Sequence, residues 1–403
     1  MNSQKTLICI SAILLILSIF LTIFNRIYAF NKAGTDFVDF MTHFYDMKQY
    51  YKNNIIPTTG ARFEMGPMLK EVAPRVPGGF FYIHYLLCYK LARENIELTR
   101  VFNFITMFIP ALIFLFWIYK RFGFSIFSVL SVLILFNIYF VYTNNIFYNP
   151  NITLSLSFLF LTLFGEYIYE ENHYLNIPAM MFFPCLALMG QAHFAVYYGI
   201  VPTVIAYLIL RYKITLKNIK YILIGIFLSL LTYLPYLIAE IKNGFLNTNK
   251  MLNFSSTSDL RKVFPFPQVH SLIMFPTNEF STMYAANNFK KIMDFYLNDN
   301  PYFIFCLIIL VLSIILIFTA FIYSIIKFFK NKEFKIDYNN KDKSLILIRE
   351  LFLLFLLYFP ITILITILGR GIAGQFRYHY GAFALSFIPM IYFLYNLKIN
   401  FKF

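Results

Sequence analysis

The sequence predicts an all-α polytopic integral membrane protein, and three observations carry that prediction. Of its 403 residues, 60% are hydrophobic and only 13% are charged, with a mean hydropathy of +0.66. Soluble domains are about 45–50% apolar and about 25% charged. Apolar runs as long as a helix needs to cross a bilayer core, about 18 residues or more, recur along the chain. The two-residue alternation expected of a transmembrane barrel is missing.

About ten spans follow from these runs. They are placed near 7–28, 101–119, 124–142, 152–169, 175–191, 194–210, 219–239, 302–327, 345–368 and 380–397. The first is too long for the apolar core of a signal peptide, and "RIYAFNKAG" after it offers no small-residue cleavage site, so it reads as a retained anchor. The connections "YKRFG", "RYKITLKNIK" and "KFFKNKEFKIDYNNKDKS" and the tail "LKINFKF" are basic. All four share one side if both termini are cytoplasmic, which satisfies the positive-inside rule and places the protein in a cytoplasmic membrane.

Two large segments then face outward. Residues 1–240 form one membrane module whose first outer loop is 31–100, residues 241–300 form a second outer loop, and 301–403 supply the C-terminal spans. The segment "FFYIHYLLCYKLA" (80–92) is too short to span comfortably and reads as an interfacial helix. In "GTDFVDFMTHFYDMKQYY" (34–51), a helical wheel gathers Phe37, Phe40, Met41, Phe44 and Met47 on one face. Asp36, Asp39, His43, Asp46 and Tyr50 gather on the other, which predicts a helix lying on the bilayer with carboxylates above it. Asp46 is expected to be solvated.

The net charge of +15 is dispersed among membrane segments, which suits orientation and anionic lipid rather than nucleic acid. Cys9, Cys88, Cys185 and Cys306 lie in apolar segments without metal or disulfide spacing and read as packing residues. No clustered Asp, Glu and His set implies a metal, and no cofactor is implied. A glycine-rich phosphate loop, HExxH and GxSxG are all missing.

Polar groups near a bilayer are costly and tend to mark function. Here Asp36, Asp39, Arg62, Arg75, Asn149, Gln191, His193, Arg370, Arg377 and His379 all fall at the outer ends of helices or in outer loops. Their convergence predicts one outward-facing cavity. An acid beside several arginines suits a lipid-linked phosphate, whose headgroup lies at that depth. Arginine grips phosphate oxygens with a planar fork and can take up the charge of a leaving phosphate. A carboxylate within reach can remove the proton from an attacking hydroxyl. A transporter or flippase of a lipid-linked saccharide would explain the same arginines without a base, so both readings stay open at this point.

The order of "NNIIPTTGARFEMGPM", "PRVPGGFFYIHYLL", "NIFYNPNITLSLSFLFL", "LALMGQAHFAVYYGIVPTVIAYLILR" and "RYHYGAFALSFIPMIYFL" resembles bacterial membrane glycosyltransferases of the GT-C superfamily. The similarity is to the protein-mannosyltransferase-like, RgtA/B/C/D-like group. It covers the first half well and the last helix pair loosely. It implies transfer of a sugar from a polyprenyl-phosphate donor to a glycan, glycolipid or protein acceptor on the outer membrane face. It also implies an acid in the first outer loop, usually an Asp–Glu doublet. Here the doublet is missing, because Phe37 follows Asp36 and Phe40 follows Asp39. Spacing to Pro57 favours Asp39, with Asp36 as the alternative. The resemblance makes Arg75 a candidate phosphate ligand, joined by Arg62, Arg370 and Arg377. Gln191, His193, His379, Asn149 and His43 become candidates for substrate contact.

Overall fold

A computed structural model describes residues 9, 12–13, 15–16, 19–20, 23, 38–63, 73–135, 137, 140, 143–144, 146–169, 176–253, 272–273, 275–277, 303–334, 342–369 and 376–400. These residues are mostly helical. In order they form α1 (Val38–Lys52), β1 (Thr59–Arg62), β2 (Arg75–Pro77), α2 (Phe80–Leu91), α3 (Ile96–Phe122), α4 (Phe124–Leu135) and α5 (Asn149–Tyr169). There follow α6 (Ile177–Ala192), α7 (Ile200–Leu210), α8 (Tyr212–Lys217), α9 (Ile219–Thr232), α10 (Leu234–Lys242) and α11 (Leu246–Leu252). The last three helices are α12 (Phe303–Lys330), α13 (Lys343–Gly369) and α14 (Ile388–Asn400).

Three of these, Ile96–Phe122, Asn149–Tyr169 and Lys343–Ile365, are long and apolar enough to cross a membrane, and α9 with α10 makes a fourth if the bent pair counts as one span. The bend is 45°. Pro235 sits just past it, and a proline there lacks its N–H and crowds the carbonyl of Leu231. Helix α3 explains why this chain needs lipid. Asn95 caps its start by accepting from the Leu98 N–H at 2.9 Å. Thr99, Asn103, Met107, Ala111, Phe114 and Ile118 are buried, at helical spacing. On the opposite face Leu98, Val101, Ile105, Ile109, Leu112 and Phe116 are exposed, also at helical spacing. A stripe of large apolar side chains along a whole helix is costly in water and costs nothing in hydrocarbon.

Helix α5 is the hub of the bundle and packs against α3, α6 and α13. Its residues Phe158, Phe164 and Tyr167 are fully buried among Phe114, Phe182 and Tyr207. Chain direction sorts the polar residues to two ends. At one end, formed by the C-termini of α3, α5 and α7 and the start of α13, carboxylates pair with arginines. Arg211 grips Glu350 through Nε and Nη2 at 2.8 and 2.9 Å, and Arg121 holds Glu166 at 2.5 Å. The other end carries the loop that holds α1, β1, β2 and α2.

That loop departs from the all-α expectation. Between α1 and α2 the strands β1 and β2 pair antiparallel, Thr59 opposite Pro77 and Arg62 opposite Arg75. Helix α1 also differs from its predicted placement. Phe40, His43, Asp46 and Met47 are all buried, while Met41 is half-exposed. The packed stripe therefore straddles the edge of the wheel, taking Phe40 and Met47 from its apolar face and His43 and Asp46 from its polar one. The reason is visible in what covers it: α2 presents Phe81, Tyr82 and Tyr85 to this stripe. Tyrosine offers a ring to the phenylalanines and a hydroxyl to the histidine and the aspartate. Helix α2 forms as expected from 80–92 and packs on α3.

Candidate functional site

Arg62 and Arg75 are directly opposed across the hairpin, so both side chains leave the same short sheet within reach of α1. Asp46 on α1 receives them. Arg75 Nη2 lies 2.8 Å from Asp46 Oδ2, and Arg62 Nη2 lies 3.6 Å from Oδ1. The Tyr82 hydroxyl donates to the same Oδ2 at 3.0 Å. Asp46 is 7% exposed, so the expectation of a solvated side chain is overturned. Burial is affordable because two guanidinium groups and a hydroxyl replace the lost water. Burial alone would discourage the Arg75 charge, but the Asp46 carboxylate beside it outweighs that and holds the guanidinium charged.

A cleft of about 400 Å³ opens beside this cluster, with Arg62, Arg75, Lys250, Glu240, Asn247 and Thr59 among its walls. Its far wall comes from α10 and α11. Asn247 accepts from the Arg75 backbone N–H at 2.8 Å and donates to the Arg75 carbonyl at 3.0 Å, pairing with β2 as a neighbouring strand would. Glu240 holds α11 in place by accepting from the Asn247 and Thr248 N–H groups at 3.2 and 2.7 Å. Arg75 spends only part of its fork, donating through Nη1 to the Gly60 carbonyl at 3.3 Å and through Nη2 to Asp46. Arginine has five N–H donors in a plane, so several remain to meet an anion in the cleft.

From Asp46 a line of contacts runs inward. The Tyr82 hydroxyl lies 3.4 Å from His43 Nδ1, and the His43 ring lies 6.3 Å from the Tyr148 ring. Arg377 donates to the Tyr148 hydroxyl and lies over the Tyr378 ring at 5.5 Å. Tyr378 in turn stacks on His193 at 5.7 Å. Asn149, at the start of α5, donates to the Ala192 carbonyl at 3.3 Å and lies beside His43. Burial pushes the His43 imidazole down to about 3, so it is neutral at physiological pH. Arg62, Arg75, His43, Asn149, His193 and Arg377 are thus brought into one connected region.

Two other candidates serve the architecture. Gln191 uses both ends of its amide: Oε1 accepts from the Phe80 N–H at 3.3 Å, and Nε2 donates to Thr232 Oγ1 and carbonyl at 2.7 and 3.1 Å. It thereby ties α2 to α9. His379 lies on a separate contact, with Nδ1 2.9 Å from the Tyr358 hydroxyl. Asp36 and Arg370 lie outside the described residues. Asp39 is in α1, seven residues and so two turns before Asp46, about 10.5 Å along the same helix stripe. Among the described residues, no three His, Cys, Asp or Glu side chains gather as a metal site would require.

The glycines of "PRVPGGFF" fit this geometry tightly. A Cβ on Gly79 would lie 1.9 Å from the Pro57 carbonyl oxygen, and one on Gly78, whose φ is +93°, would meet the Gln191 side chain at 2.4 Å. The Pro57 obstacle is backbone and cannot rotate away. Gly79→Ala is therefore expected to lower folding stability by about 2–4 kcal/mol through displacement of the hairpin from α2. Thermal melting of the purified variant checks this; an unchanged midpoint would refute the close approach.

Sequence reasoning missed Asp46, Tyr82, Tyr148, Glu240 and Asn247. For Asp46 a signal existed, since it sits three residues, nearly one turn, after His43 in α1. For Asn247 none did, because its partner Arg75 is 172 residues away. Compared with known proteins, the chain matches no family, no curated protein and no solved structure.

Proposed function

We propose that this protein is a membrane glycosyltransferase of the GT-C kind, with about ten spans and its site on the outer face of a cytoplasmic membrane. It takes a sugar from a polyprenyl phosphate and passes it to a hydroxyl of an envelope glycan, glycolipid or protein. The observation that supports this most is the pair of opposed arginines, Arg62 and Arg75, held by buried Asp46 on the wall of a cleft of about 400 Å³. Arg75 gives N–H groups only to Asp46 and the Gly60 carbonyl, beside a space that fits a sugar phosphate and next to helices suited to lipid.

In this reading Asp39 or Asp36 takes the proton of the acceptor hydroxyl as its oxygen attacks the anomeric carbon. The bond from that carbon to the phosphate oxygen breaks, and polyprenyl phosphate leaves with one more negative charge. Arg62 and Arg75 take up that charge, with Arg377 and Arg370 as the further phosphate ligands of the proposal. Asp46 positions the arginines, and in this proposal the 241–300 loop has the task of covering the site and selecting the acceptor.

The test uses membranes that contain the full-length protein, together with undecaprenyl phosphate carrying a radiolabelled hexose. The expected result is protein-dependent movement of label from the lipid into envelope material. Label that crosses the bilayer while still attached to its lipid would instead establish the flippase reading and sink this one.

A further inference from the structure

A second groove lies outside the Arg62–Arg75 cleft. It has a volume of about 560 Å³ and runs between the end of α1, the turn 53–57 and the outer face of α2. Three lysines line it, Lys48, Lys52 and Lys90, and none of them has a carboxylate partner among the described residues. The single acid on its wall, Glu94, accepts from the Tyr51 hydroxyl at 2.8 Å. The groove is therefore cationic.

Its rim is apolar. Ile55, Ile56 and Leu87 are more than half exposed, and Leu91 one turn further along α2 is 61% exposed. Past the turn at 92–95 the chain enters α3, whose exposed apolar stripe begins at Leu98. A groove for a soluble polyanion has no use for isoleucines at its mouth. Lysines above an apolar rim, with a lipid-suited helix next in the chain, match the boundary between headgroups and acyl chains.

We propose that this groove binds the headgroup of an anionic phospholipid, its phosphate among Lys48, Lys52 and Lys90 and its acyl chains over Ile55, Ile56 and Leu87. The bound lipid seats α1 and α2 on the membrane surface, which fixes the height of the hairpin. The groove is separate from the proposed sugar-transfer site and does not depend on that activity.

The test is binding of short-chain phosphatidylglycerol and phosphatidylcholine to the purified full-length protein, followed by native mass spectrometry, with inorganic phosphate as a third probe. Three lysines near a lipid phosphate predict a preference for phosphatidylglycerol of about tenfold or more. The K48Q/K52Q/K90Q variant is expected to bring that preference close to unity. The K213Q/K217Q/K220Q variant, which removes equal charge from the α8 connection, is expected to leave it intact. Equal binding of the two lipids by the wild type would overturn the proposal. So would an equal loss in both variants, which marks unspecific charge, or inorganic phosphate competing as well as the lipid.

Discussion

Removing both candidate bases, in an Asp36→Ala/Asp39→Ala variant, is expected to reduce sugar transfer by about 10²- to 10⁴-fold, the usual worth of a positioned general base. Melting of the variant is recorded beside the assay, so that lost transfer is read only from a protein that folds. The stripe of α1 explains the expectation. His43 and Asp46 are buried on it, and Asp39 lies in the same helix seven residues, about two turns, before Asp46. Single variants should separate the two candidates, the base being the one whose loss carries most of the effect. Full activity in the double variant, measured as label transfer in membranes, would remove the base from the mechanism.

Asp46→Ala should behave differently, lowering stability and donor use together. Removing one partner of a buried pair leaves its charge uncompensated, which costs roughly 3–5 kcal/mol where burial is complete. Here the arginine side chains keep 18% and 21% exposure, so part of the cost is relieved by water. A loss of about 2–3 kcal/mol is expected. Arg75 then loses its strongest anchor, and the Tyr82 hydroxyl loses its acceptor. The apparent KM for donor should rise more than kcat falls, because the arginines remain present but no longer face one another. Asp46→Asn keeps a hydrogen-bond acceptor and should recover part of the stability without restoring donor affinity. An Asp46→Ala protein with unaltered melting and unaltered KM would show that the cluster is ornamental.

Much of the helical framework was legible in the sequence, because hydrophobic runs and helix caps are local signals. The predicted 101–119, 152–169 and 345–368 lie within the observed Ile96–Phe122, Asn149–Tyr169 and Lys343–Gly369. The hairpin was not legible. Strands of four and three residues, "TGAR" and "RVP", are too short to show alternation, and their pairing is made by chain closure, not by local preference. The error at Asp46 has the same origin. A helical wheel sorts residues by polarity, but which face is buried depends on the partner. Here a tyrosine-rich α2 and two arginines draw His43 and Asp46 into the packed side together with Phe40 and Met47. Gln191 was read as a ligand because it ends an apolar helix with a polar group. Its partners, Phe80 and Thr232, are 111 and 41 residues away, and no local pattern reveals them.

Binding of undecaprenyl phosphate, the product left after sugar transfer, tests most directly whether the arginines gathered by Asp46 hold a lipid phosphate. The measurement compares wild type with Arg62→Gln/Arg75→Gln in the same nanodiscs, with melting recorded for each. Loss of two charge-assisted phosphate contacts should weaken binding by about a hundredfold. Equal affinity in a folded double variant would contradict the account, since the cleft beside the hairpin would then hold no phosphate.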